Sequence, residues 1–169
     1  MMNDASIVST ASPLARGRVV ALDLGAERTG VAICDETRTS VRPLTTLERM
    51  SWKRFVRRIA RLCEEFDARE VVVGLPLNMD GTRGAAAEDA QRIRRNLQLT
   101  LGLPVHTQDE RLTSLAAAAE LRAEGASPAE IARSIHSRSA AIILRDYLSR
   151  AEQPAVTQEP LGGSSDVRT

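Results

Sequence analysis

Three groups of polar residues stand where apolar runs end, and their types suit chemistry on a charged oxygen. The first is Asp23, within Val19-Val20-Ala21-Leu22-Asp23-Leu24-Gly25. On the two-residue period of a strand it shares a face with Val19 and Ala21, while Val20, Leu22 and Leu24 share the other. A carboxylate among small apolar neighbours is costly to bury unless a metal ion or a cation pairs with it. A turn-capping Asp beside Gly25 is the ordinary alternative. The second group lies in Gly74-Leu75-Pro76-Leu77-Asn78-Met79-Asp80-Gly81, where Asn78 and Asp80 offer oxygens and a plain turn explains the same residues. The third is Asp109-Glu110-Arg111, ahead of Leu112-Thr113-Ser114. One acid could cap the following helix and the other bind metal, with Arg111 on phosphate or in an internal ion pair; capping alone is the structural alternative.

The hydrophobic pattern predicts the scaffold that must carry these groups. A strand through Asp23, a tight turn with Gly25 and Gly30 at its edges and a second strand through Asp35 form an opening hairpin. Residues 41–47 suit a third strand, and Pro43 points to a sheet edge. Trp52, Phe55, Val56, Ile59, Leu62, Cys63 and Phe66 follow at helical spacing and are expected in the core, with Lys53, Arg54, Arg57, Arg58 and Arg61 on the remaining, solvated surface. Val71-Val72-Val73 reads as a strand covered on both faces. A helix over 85–100 turns Ala86, Ala90, Ile93 and Leu97 inward, and a fifth strand covers 103–107. A helix over 113–124 ends at Gly125. Ser127-Pro128-Ala129-Glu130 is a capping box that starts the next helix. The last helix holds Ala140, Ile143, Leu144, Tyr147 and Leu148.

This order predicts an α/β domain: a mixed five-stranded sheet flanked by helices, in which two helices serve as crossovers. Polar residues at strand ends then converge where the strand order reverses, which groups Asp23 with the loops after Val73 and Thr107. The domain is expected over residues 17–150, between disordered tails at 1–16 and 151–169.

Composition narrows the classes. The 169 residues are 43% hydrophobic and 27% charged, as in an ordinary globular domain, and the net charge of +1 excludes a uniformly basic coat for nucleic acid. Among the 23 Lys and Arg residues only Lys53 is lysine. Arginine's planar fork suits phosphate, although a coding bias gives the same composition. Cys34 and Cys63 lack metal or disulfide spacing and read as small buried hydrophobes. No apolar run is long enough to span a membrane and no basic-then-apolar leader pattern opens the chain, so a cytoplasmic location is expected.

Four ordered motifs, LDLGAERTGVAICD, VVVGLPLNMDG, DERLTS and SAAIILRDYL, together resemble the YqgF (RuvX) family. Its members are RNase H-like proteins described as Holliday junction resolvases and as nucleases for the 5′ end of pre-16S ribosomal RNA. The likeness spans about residues 18–149. It implies an RNase H-like sheet, Asp23 as the first catalytic carboxylate, and Glu110, with Asp109 beside it, as the DER acid. It further implies Mg²⁺ or Mn²⁺ as cofactor, Arg28, Asn78 and Arg111 as nucleic-acid contacts, and precursor rRNA or branched DNA as substrate. Hydrolysis of a phosphodiester by two divalent ions needs oxygen ligands that hold the ions about 4 Å apart.

The chain departs from the family at the third acid. That position falls on His136, with no Asp or Glu close by in sequence. Imidazole suits Mn²⁺ better than Mg²⁺, so His136 is expected as a weaker metal ligand or a proton carrier. A nucleic-acid-binding module with reduced or lost catalysis is the alternative. LDLGAERTG also resembles the phosphate loop of actin-like ATPases and sugar kinases, but those enclose ATP with a second lobe for which a domain of about 130 residues has no room.

Overall fold

In the computed structural model, which describes residues 17–48 and 51–151, the apolar run around Asp23 is the central strand of a five-stranded sheet. Strands β1 (Arg18–Leu24), β2 (Arg28–Cys34) and β3 (Val41–Glu48) form an antiparallel meander. Strands β4 (Ala68–Leu75) and β5 (Val105–Asp109) extend it in parallel on the other side of β1, giving the order β3-β2-β1-β4-β5. Pro43 lies on the edge strand, where its missing N–H is harmless, beside an irregularity in the β2–β3 pairing.

Two helices, α1 (Trp52–Glu65) and α2 (Ala85–Leu101), make the crossovers into β4 and β5. Both connections step the same way across the sheet, so right-handed crossover places both helices on one face. There Val20, Leu22, Val71 and Val73 meet Phe55, Ile59, Ala87, Ile93 and Leu97 in the larger core. The other face carries α4 (Pro128–Ala151), which packs Ala140, Ile143, Leu144 and Leu148 on Val19, Ala21, Ala32 and Val72. Helix α3 (Thr113–Ala123) leans on α4. The strand period therefore sorts β1 as its sequence predicts, with Asp23 on the face beneath α4.

Several expectations change. Strand β4 runs well beyond the three valines, and β5 lies two residues later than residues 103–107, because Gly102 ends α2 in the left-handed conformation and Pro104 is still in the approach. The shift makes Asp109 the last strand residue. In α2 the buried alanine of the first turn is Ala87; Ala86 is exposed. Trp52 is 41% exposed and lies outside the core. The capping box at Ser127 and Glu130 forms as expected, with the Ser127 N–H and hydroxyl each donating to the Glu130 carboxylate at 2.7 Å. The helix it starts does not stop before the last one, however: one helix runs unbroken to Ala151, so His136 lies in its interior. The expected N-terminal tail lies outside the described residues, as does the C-terminal tail except for Ala151, which is helical.

Candidate active site

Asp23 is flanked by glycine on both sides of the sheet. Gly30 of β2 is its register partner, and Gly74 of β4 follows Val73, the partner of Leu22. Each glycine leaves room for one other part of the site. A Cβ on Gly30 would lie 1.8 Å from the carbonyl oxygen of His136, so only a bare backbone lets α4 come down onto the sheet here. A Cβ on Gly74 would lie 1.9 Å from Glu110 Oε2 and 2.7 Å from Ile143 Cδ1. The Glu110 carboxylate thus lies across the β4 backbone beside Asp23, although its own residue follows the end of β5.

The chain holds Glu110 there by a tight turn. Its N–H donates to the carbonyl of Leu75 at 3.2 Å, and its carbonyl accepts from Thr113 N–H at 3.1 Å. Leu112, between them, takes a left-handed backbone at φ 62°, a conformation that a branched apolar residue adopts only under constraint. Gln108, the register partner of Gly74, is buried in the same row of the sheet.

The electrostatics follow from burial. Glu110 Oε2 is shielded from solvent and has no hydrogen-bond partner. Loss of water, then the nearby Asp23 charge, push the Glu110 carboxyl up to about 8. Burial also raises Asp23 above the ordinary carboxylate range, and the His136 imidazole works against that rise. His136 Nδ1 lies 3.6 Å from Asp23 Oδ2, so the imidazole occupies the third side of the carboxylate pair. It reaches the cleft from the interior of α4.

The structure thus brings together Asp23, Glu110 and His136. It commits Asp109 elsewhere: the Arg111 side chain donates to both of its carboxylate oxygens, the shortest contact being 2.6 Å, and the Arg111 N–H caps Asp109 Oδ1. The oxygens of Asp109, expected among the metal ligands, thus point to an arginine. Arg111 also reaches the Met79 carbonyl, tying the end of β5 to the loop after β4. Asn78 Nδ2 donates to Thr82 Oγ1 within that loop, and Asp80 accepts from the Thr82 N–H and hydroxyl. Arg28 is exposed at the start of β2. Gly30 and Gly74 are the site residues whose purpose the sequence did not disclose.

Among the described residues no three His, Cys, Asp or Glu side chains stand close enough together, as they are, to hold a metal ion. The two carboxylates, Asp23 and Glu110, are nevertheless oxygen donors of the type that divalent cations take. Glu110 Oε2 is buried without a partner beside the second buried carboxylate, with which the Glu110 side chain shares a hydrogen bond, so the pair offers an unused oxygen to a cation.

A mixed sheet in this order, with polar groups gathered at the ends of β1, β4 and β5, defines an RNase H-like α/β protein. The chain superposes on T. thermophilus RuvC in complex with Holliday junction substrate at a TM-score of 0.51, covering 79% of this chain and 96% of that one at 19% identity. The profile of the RuvX family, described as Holliday junction resolvase, matches residues 17–150, and the chain belongs to that family. It is 43% identical over 148 residues to a Chloroflexus aurantiacus protein named "Putative pre-16S rRNA nuclease", across 88% of this chain and 97% of that protein. A Syntrophus aciditrophicus protein of the same name is 37% identical over 84% of this chain and 95% of its own length.

Proposed function

We propose that this chain is a metal-dependent endonuclease that hydrolyses phosphodiester bonds in structured nucleic acid. The 5′ end of precursor 16S rRNA is the foremost substrate, branched DNA the related one, and the cytoplasm the place of action. The observation that carries this reading is the unpartnered buried oxygen of Glu110 beside Asp23, on a family scaffold whose relatives bear nuclease names. Asp23, Glu110 and His136 would hold Mg²⁺ or Mn²⁺, which when bound supplies charge neutralisation and an activated water.

The chain's own residues prepare the site in three ways. Gly74 lets the Glu110 carboxylate lie against the sheet, away from bulk water, where its interaction with a cation or a phosphate is strong. The raised affinity of Glu110 for protons keeps the metal-free pair from carrying two adjacent negative charges at neutral pH. His136, at 3.6 Å from Asp23, opposes the carboxylate charge and can carry a proton at Nδ1. Arg28 is exposed beside the cleft and suited to the substrate backbone, whereas Arg111 shapes the loop through Asp109 and Met79.

The alternative, a binding module with lowered catalysis, is favoured by one observation: an imidazole stands where the family has an acid. One experiment separates the two. Precursor rRNA and a four-way DNA junction are incubated with the wild type and with Asp23→Asn, each with Mg²⁺ or Mn²⁺. Metal-dependent cleavage by the wild type alone is expected. Tight binding without cleavage by either protein would establish the binding module instead.

A further inference from the structure

The arginines of α1 form one stripe that no core contact requires. Arg54, Arg57, Arg58 and Arg61 stand at i, i+3, i+4 and i+7, all exposed, and none is paired with a carboxylate among the described residues. Neighbours at these spacings touch, so four like charges in one stripe repel one another and weaken the helix. Arg54 also lies in the first turn, with no acid there to offset it, where the helix dipole disfavours positive charge. Residues that cost local stability without a packing role point to a partner. The exposed stripe borders a surface groove. With Thr46, Leu47 and Glu48 at the end of β3 and with Phe55 beneath, it walls a groove of about 420 Å³.

The groove's position relates it to the cleft. Thr46 is the register partner of Gly30, and Gly30 that of Asp23, so the groove lies at the same end of the sheet as Asp23, two strands or roughly 10 Å along it, but on the opposite face, the one α1 covers. Arg28, paired in register with Glu48, stands between them. Glu48 is the single carboxylate in the lining, against four guanidinium groups.

We infer that the α1–β3 groove binds the phosphodiester backbone of the nucleic acid on one side of the cleaved bond. A strand crossing Asp23 would round the end of the sheet at Arg28 and Glu48 to reach the groove on the other face. Guanidinium forks suit successive phosphates, and four of them line this one track on a chain of net charge +1. The inference rests on the reading of Asp23 and Glu110 as the cutting site only for which bond lies next to the groove.

The test uses full-length protein carrying Asp23→Asn so that substrate stays intact. Arg54, Arg57, Arg58 and Arg61 are changed together to Gln in one variant and to Lys in another. Binding of an RNA hairpin and of a four-way DNA junction is followed across a salt series, with Trp52, the only tryptophan, as the reporter at the start of the same helix. Loss of the four charges is expected to flatten the slope of log affinity against log salt by about 3, at roughly 0.7–0.9 per phosphate contact, on RNA, DNA or both. Affinity falls at least about tenfold at low salt. The Lys variant retains the slope, which excludes a folding defect as the cause. Equal slopes for the Gln variant and its parent, on both nucleic acids, would overturn the groove assignment, including in favour of an acidic protein partner. Proteins with Asp23 intact are assayed in parallel. A flattened slope without cleavage by the wild type keeps the groove and removes the nuclease reading; cleavage with an unchanged slope does the reverse.

Discussion

Replacing Glu110 with glutamine tests the electrostatics of the site without any assay of cleavage. In the folded chain the Glu110 carboxyl titrates at about 8, against the usual 4.5, chiefly because it has lost water. The sign follows from proton binding. Below about pH 4.5 both folded and unfolded chains hold the proton, and Glu110 favours neither. As pH rises from there the unfolded chain releases it while the folded chain keeps it, so stability falls until pH passes about 8 and then levels off. At about 1.36 kcal/mol per pKa unit the loss is at most on the order of 5 kcal/mol, reduced by whatever water enters the cleft. Asp23, whose carboxyl is also raised by burial, adds to the same trend. A side-chain amide cannot ionise, so the Glu110→Gln variant should gain on the wild type as pH rises. Urea unfolding of both proteins in chelator, from pH 4.5 to 9, measures the difference. A divalent ion should then restore the wild type at high pH, by about 2.7 kcal/mol at a hundred times its dissociation constant, and leave the variant nearly unmoved. Parallel stability curves for the two proteins would refute the reasoning, because Glu110 would then be as well solvated in the folded chain as in the unfolded one.

Four other outcomes are expected. Asp23→Asn, nearly isosteric, should abolish cleavage without loss of the cooperative melt; unchanged cleavage by a folded variant would remove Asp23 from the mechanism. His136→Asp should raise Mg²⁺-supported cleavage and narrow any preference for Mn²⁺, and His136→Ala should weaken Mn²⁺ binding in a titration; superimposable titration curves would end the ligand role. Gly74→Ala should push Glu110 out of place, costing roughly 1–3 kcal/mol of stability and most of the activity, since the added carbon falls 1.9 Å from Glu110 Oε2; full activity would mean that Glu110 need not lie there. The fourfold Gln variant of the α1 stripe should melt higher than the wild type even as it binds nucleic acid less well, each relieved like-charge neighbour being worth about 0.2–0.5 kcal/mol; a lower melting temperature would show that the arginines stabilise the helix.

The sequence by itself determined the alternation in β1 that sends Asp23 to one face and Leu22 to the other, since a strand allows only two directions. It determined the capping box at Ser127 and Glu130, which is closed by atoms three residues apart. The order of strands and crossover helices was also legible, because right-handed connection leaves few ways to arrange them. Asp23, Glu110 and His136 could be named from local context and family likeness. What tertiary structure alone decided is the relation between parts distant in the chain. The bounds of β5 depend on pairing with β4, so residues 103–107 by themselves mark the wrong stretch. Glycine is visible at positions 30 and 74, but its need arises from His136 and Glu110, which arrive from α4 and from beyond β5. The Asp109–Glu110 pair offers two similar acids, and the turn through Leu112 gives one to the cleft and the other to Arg111. The α1 arginines show their helical spacing in the sequence, yet a stripe becomes a groove only when β3 supplies the opposite wall. Local rules act over a few bonds, whereas burial, exclusion of water and steric clash depend on which distant atoms fill the same space.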